Sequence, residues 1–147
     1  QNVPVLEGTK EKAAEGVRRG AYILVDSSAP TPDAILMATG SEVQLAVEAA
    51  EELEQQGIAT RVVSMPCMEW FLEQSADYIE SVLPSTVTAR VSVEAAVAMP
   101  WHRFTGLQGR NISLEHYGAS ADYKTLYEKF GITVSAVVNA AKEVVAK

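Results

Sequence analysis

The most pointed chemical feature of the chain is Ala38-Thr39-Gly40-Ser41-Glu42. An apolar run ends there and a helical pattern begins, so a glycine and a hydroxyl fall at a strand-to-helix turn. Free backbone N–H groups and the helix dipole at such a turn favour an anion. This makes Thr39, Gly40 and Ser41 a candidate anion-binding group. The turn has no Walker lysine and no G-x-G-x-x-G pattern, and Glu42 puts negative charge where a phosphate would sit. The simpler reading of the same residues is a capped helix with a glycine for close packing. Thr39-x-x-Glu42 and Ser41-x-x-Gln44 are two overlapping capping boxes.

Glu94 ends a strand pattern at the edge where α/β sheets bind ligands, so its carboxylate is a candidate acid, base or partner contact; the alternative is a carboxylate satisfied by nearby backbone amides. His102 lies in Met99-Pro100-Trp101-His102-Arg103-Phe104, and His116 follows Glu115. Neither imidazole has a nucleophile or carboxylate at mechanistic spacing. Trp101, Phe104 and Tyr117 read as core packing, with an exposed aromatic patch as the other reading. Cys67 is the single cysteine, with no basic neighbour in sequence to favour a thiolate. No zinc-binding cluster, G-x-S-x-G elbow or H-E-x-x-H motif can be drawn. No catalytic and no metal-binding residue is therefore expected in this chain.

The elements that position these residues alternate between strand and helix. Tyr22–Val25 and Ala34–Ala38 are apolar runs bounded by turn residues, as in buried strands of an α/β sheet. A helix is predicted from about Glu42 to Gln56, with Val43, Ala46, Val47, Ala50 and Leu53 at helical spacing and Gly57 as its stop. A third strand is predicted near Thr60–Met65, one or two short helices over Glu69–Leu83, and a fourth strand over Val87–Val93. Ala95–Arg110 reads as irregular, and a fifth strand is predicted near Asn111–Leu114. Ser120 is the expected cap of a helix carrying Tyr123, Leu126, Tyr127 and Phe130 on one face. Thr133 is the expected cap of a last helix with Val134, Val137, Val138, Ala141, Val144 and Val145 as its stripe. Both stripes are expected to pack on the sheet, with Phe130 buried.

Only Asp26 to Asp33 separate the first two strands, whereas a parallel crossover needs about a dozen residues or more. The first strand should therefore run against the second, and the later strands should be mutually parallel. The expected fold is a three-layer α/β/α domain with a five-stranded mixed sheet and one antiparallel strand. The stretch from Gln1 to Gly20 is polar, glycine-containing and weakly periodic, so it reads as a linker or lead-in arm, with the domain at 21–147.

The chain has 147 residues, 48% of them hydrophobic and 21% charged, which suits one globular domain and excludes intrinsic disorder. Its net charge of −7 argues against a nucleic-acid surface or an anionic membrane. No apolar run approaches the roughly 18–20 residues of a membrane span. The N-terminus has neither a basic nor an apolar region, so no signal peptide is expected and a cytoplasmic location is. Because the first residue is Gln1, the chain is expected to be processed or a piece of something longer.

Taken in order, Ile35-Leu36-Met37-Ala38-Thr39-Gly40-Ser41-Glu42-Val43, Arg61-Val62-Val63-Ser64-Met65-Pro66, Tyr78-Ile79-Glu80-Ser81-Val82-Leu83-Pro84, Ala89-Arg90-Val91-Ser92-Val93-Glu94-Ala95 and Tyr117-Gly118-Ala119-Ser120-Ala121 closely resemble the C-terminal domain of transketolase. Asn2-Val3-Pro4-Val5-Leu6-Glu7-Gly8 is similar to the linker that enters that domain. His116-Tyr117-Gly118-Ala119-Ser120 departs from the family pattern, which more often has phenylalanine, glycine and glutamate before the serine, so no role is carried over to that loop. The resemblance implies a homodimeric parent enzyme of the pentose phosphate pathway, dependent on thiamine diphosphate and Mg²⁺. That parent moves a two-carbon ketol unit from a ketose phosphate to an aldose phosphate. It also implies that cofactor and sugar phosphates bind in the parent's other domains. The family's metal motif, Gly-Asp-Gly followed by an asparagine, is absent, so this chain is expected to hold no cofactor and to be inactive alone. Its expected contribution is structural, supporting the dimer with the Met99–Phe104 segment as a candidate surface. The alternatives are the third domain of deoxyxylulose-phosphate synthase or of a 2-oxoacid dehydrogenase beta subunit, and a free-standing anion-binding or interaction module.

Overall fold

The computed structural model describes residues 3–146. In chain order the elements are α1 (Thr9–Arg18), β1 (Tyr22–Val25), β2 (Ala34–Ala38), α2 (Val43–Gln55), β3 (Thr60–Ser64), α3 (Met68–Leu72), α4 (Ala76–Val82), β4 (Arg90–Val93), α5 (His102–Thr105), β5 (Arg110–Ile112), α6 (Tyr123–Phe130) and α7 (Val134–Val145). Short 3-10 turns precede α2 at Gly40–Glu42 and α5 at Met99–Trp101.

The strands form one sheet in the order β1-β3-β2-β4-β5. β2 to β5 are parallel, and β1 runs antiparallel to β3. β1 therefore also opposes β2, as the short connection between them requires, with β3 lying between the two. Every residue of β2 and of β3 is buried. That is why β2 reads as an unbroken apolar run, since a parallel strand is covered on both faces.

Two cores make the three layers. On one face Ala46, Ala49, Ala50 and Leu53 of α2 meet Val137, Val138, Ala141 and Val144 of α7 above Leu36, Val62 and Val91. The alanines permit the two helices to approach closely, and volume rather than polarity limits what such a core accepts. On the other face Phe71, Val82, Leu83, Trp101 and Phe104 cover Ile35, Met37 and Val63.

Several boundaries differ from the sequence expectation. The lead-in arm contains a helix, α1, whose only buried residue is Gly16, packed against the ring of Tyr22. So thin a buried stripe leaves no apolar period to read. Gly20 follows at φ +82°, where a Cβ would lie 2.3 Å from the Cys67 carbonyl, so both conformation and space demand glycine. Val87–Ala89 lie outside β4, and β5 is shifted to Arg110–Ile112. The cap of α6 is Asp122, not Ser120; its carboxylate accepts from the Thr125 N–H at 3.1 Å. The α6 stripe is shallower than expected: no residue of the helix is buried, Phe130 is half-buried and Tyr123 is exposed. Thr133 does cap α7, accepting from the Ala136 N–H at 3.2 Å, while Val145 lies at the exposed end of its stripe.

Three details secure the β1 edge. Lys12 Nζ donates to the Leu24 carbonyl at 2.7 Å, the β1–β3 register shifts between Ile23 and Val25, and Arg61 of β3 holds Asp26 just beyond β1 with Nε at 2.8 Å.

Candidate functional site

The sheet order reverses direction between β2 and β4, and ligands of open α/β sheets bind at the carboxyl ends of strands flanking such a switch point. The candidate anion residues lie there. Thr39 is extended, Gly40 adopts φ +58°, and Ser41 begins the turn into α2. Neither capping box forms. Thr39 and Glu42 make no side-chain cap, and Gln44 Nε2 instead donates to the Ser41 carbonyl at 3.0 Å.

The group that occupies the turn is the carboxylate of Glu42, 6% exposed. Ser41 Oγ donates to its Oε1 at 2.6 Å, the Tyr127 hydroxyl donates to the same oxygen, and the Ala95 N–H reaches Oε2 at 3.5 Å. A carboxylate accepting several donors beside a helix N-terminus is the arrangement in which burying its charge costs least. Ala95 lies at the end of β4 and Tyr127 on α6, so the carboxylate ties both sides of the crevice to α2.

The other acidic groups at this end are likewise held. Trp101 Nε1 donates to Glu94 Oε2 at 2.6 Å, so an indole rather than backbone amides satisfies Glu94. Glu115 accepts the Ala98 N–H at 2.7 Å and the Ser113 hydroxyl at 2.9 Å. Those two donors hold its carboxyl below the usual carboxylate range, the amide first. Among the described residues no group of three or more His, Cys, Asp or Glu side chains is placed to hold a metal ion.

The two histidines do not meet an acid or a nucleophile through a hydrogen bond. Asn111 Oδ1 accepts from Ser92 Oγ at 2.7 Å and Thr105 Oγ1 at 3.2 Å, which turns its amide nitrogen toward His102 Nδ1 at 3.3 Å. His116 Nδ1 donates to the Tyr117 carbonyl at 2.8 Å, and its ring stacks edge-on against Phe130 with centroids 4.9 Å apart. Cys67 precedes α3, and its thiol faces Glu69 at 3.6 Å. Trp101 and Phe104 are core residues, and Tyr117 stands apart from them, fully in solvent. Of the Met99–Phe104 segment, Met99, Pro100, His102 and Arg103 are exposed.

Two arginines escaped notice as functional groups in the sequence. Arg61 sits inside β3, 7% exposed, and Arg90 opens β4; each pairs in register with Ile35 of β2. Arg61 Nη1 donates to the Ser81 and Val82 carbonyls, and Arg90 Nη2 to those of Leu83 and Pro84. Together they take up successive carbonyls at the end of α4, where a cation is favoured. An arginine inside an apolar strand pattern was the available signal.

A family model described as a transketolase-like TK C-terminal domain matches residues 20–133. The transketolase of Mycobacterium leprae is 56% identical over 147 residues, covering 98% of this chain and 21% of that protein. The chloroplastic transketolase of Solanum tuberosum is 52% identical over 145 residues, covering 98% of this chain and 19% of that protein. The solved transketolase from Leishmania mexicana superposes with a TM-score of 0.89 at 42% identity, covering 99% of this chain and 20% of that one. The chain spans about one-fifth of the length of these relatives.

Proposed function

This chain belongs to the family of transketolase-like C-terminal domains, and from that premise we propose that it is the third domain of a transketolase. The parent enzyme transfers a two-carbon ketol unit from a ketose phosphate to an aldose phosphate, a step of the pentose phosphate pathway, in the cytoplasm. Residues 21–147 constitute the domain, and residues 1–20 lead into it from the preceding one; the family match beginning at residue 20 supports that division. Among the described residues no helix is long and apolar enough to cross a membrane.

The observation that carries this reading is the agreement of sequence and fold over nearly the whole chain with about one-fifth of much longer transketolases. The same agreement favours transketolase over deoxyxylulose-phosphate synthase, a 2-oxoacid dehydrogenase beta subunit or a free-standing module. One solved relative, from Pichia stipitis, is a complex with sedoheptulose 7-phosphate. Thiamine diphosphate and Mg²⁺ belong to the parent's other domains. The residues here do not fit them, because the carboxylates at the switch point already take hydrogen bonds from the chain itself. The domain's role is structural, supporting a homodimer of the parent. The Thr39-Gly40-Ser41 turn serves first to anchor Glu42, and any external anion there competes with that carboxylate.

Isothermal titration of the 147-residue chain with thiamine diphosphate and Mg²⁺, beside a ketol-transfer assay, tests the reading. No binding and no turnover are expected. Micromolar binding, or turnover above blank, would place a cofactor site in this domain and overturn it.

A further inference from the structure

The amino end of β4 carries a cavity of about 530 Å³ between α4 and the segment joining α5 to β5. Two guanidinium groups line it, Arg90 and Arg103. The contrast with Arg61 on the same cross-strand row is informative. Arg61 holds the Asp26 carboxylate with Nε at 2.8 Å and Nη2 at 3.3 Å. Arg90 donates only to carbonyls, those of Val87, Leu83, Pro84 and Phe104. Neutral carbonyls satisfy its geometry without cancelling its charge; burial lowers its pKa, and the nearby Glu80 charge only partly offsets that. Arg103 makes no hydrogen bond or ion pair among the described residues. In a chain of net charge −7, two cations with no salt bridge among the described residues therefore face one cavity, where the Glu80 carboxylate acts on Arg90 only through its field.

The rest of the lining sets the ligand's shape. Ile79, Leu83, Phe104 and Leu107 form an apolar wall, and Thr88 lies on the polar side. Glu80 is the one carboxylate on the lining, and it accepts from the Ser85 N–H and Oγ, both at 2.9 Å. We propose that this cavity is a binding site for a small organic oxyanion, a phosphate ester or carboxylate on an apolar body, whose charge is met by the Arg103 fork and the field of Arg90. The planar guanidinium fork pairs with carboxylate and phosphate oxygens through charge-assisted hydrogen bonds, and partial burial strengthens such a bond. The site lies at the opposite end of the sheet from the switch point and does not depend on the parent enzyme's activity.

The probes are phenyl phosphate and benzoate, with benzyl alcohol as the neutral counterpart and inorganic phosphate as the anion alone. Each is titrated into the ¹⁵N-labelled chain and followed by amide shifts. Phenyl phosphate or benzoate should give saturable shifts over residues 85–90 and 103–108, and benzyl alcohol should not. Arg103→Gln, at an exposed side chain that touches no partner, should keep the fold and weaken binding by about tenfold or more. Glu80→Gln should tighten it several-fold by removing the like charge. If phenyl phosphate is preferred the natural ligand class is a phosphate ester, and if benzoate, a carboxylate. Shifts that do not saturate, that are equal with benzyl alcohol, or that survive Arg103→Gln unchanged would overturn the proposal.

Discussion

The two ends of the sheet solve the problem of charge in opposite ways. At the carboxyl end, Glu42, Glu94 and Glu115 each accept from donors within the chain, two of them from residues on a different element. At the amino end, Arg61 has Asp26, but among the described residues Arg90 and Arg103 make no salt bridge, and Glu80 reaches Arg90 only through its field. At the end where α/β proteins ordinarily take ligands, these carboxylates are occupied by the chain's own donors. The end that fold-level reasoning ignores holds cations beside open space. A fold shows where a site is common, and the hydrogen-bond inventory shows whether the position is still available.

Three substitutions test how firmly the carboxyl end is closed. Trp101→Ala should have the largest effect. It removes a ring 1% exposed and leaves Glu94 without its indole donor, so a loss of about 3–5 kcal/mol in urea unfolding is expected. A loss under about 1 kcal/mol would mean that the site collapses around the gap and that Trp101 does not organise this end. Tyr127→Phe should cost about 1–3 kcal/mol, because a buried carboxylate loses its phenol donor while the ring remains. A neutral result in the same assay would mean that Ser41 and Ala95 suffice, and that α6 does not latch the crevice.

The smallest effect concerns acid. The Ala98 amide and the Ser113 hydroxyl depress the Glu115 carboxyl in the folded state. The unfolded chain therefore binds this proton more readily, and the group's contribution is present in full above the ordinary carboxylate value of about 4.3. It disappears as pH falls through that value toward the lower folded one. Unfolding midpoints measured from about pH 6 to about pH 3 should fall less steeply for Glu115→Gln than for the native chain. Parallel curves would remove Glu115 from the set of held carboxylates.

Much of the architecture was legible because burial on both faces of a sheet writes itself into composition. The runs of β1 and β2, the alternation of strand and helix, the Thr133 cap and most of the α7 stripe follow from local pattern. The antiparallel course of β1 followed from loop length alone. What local pattern could not carry was anything decided by partners far apart in sequence. Glu42 and Tyr127 are 85 residues apart, and their contact turns an apparent capping residue into the occupant of the crevice. The α6 stripe suggested deep burial of Phe130, whereas the helix lies on the rim with Tyr127 turned toward a polar partner. Arg90 and Arg103 stood in the sequence as scattered positive charge, and only the fold brings them to one cavity.

The α1 helix, thinly buried as it is, has a consequence for solubility. An edge strand exposes unpaired N–H and C=O groups on which another chain can build a strand. Here Lys12 occupies the Leu24 carbonyl of β1, the strand is four residues long and it is irregular between Ile23 and Val25, while at the far edge β5 has three residues. The α1 helix thus guards the margin of the sheet, and a copy trimmed back to Gly20 would present a free β1 edge to its neighbours and self-associate more readily than the chain with α1 in place.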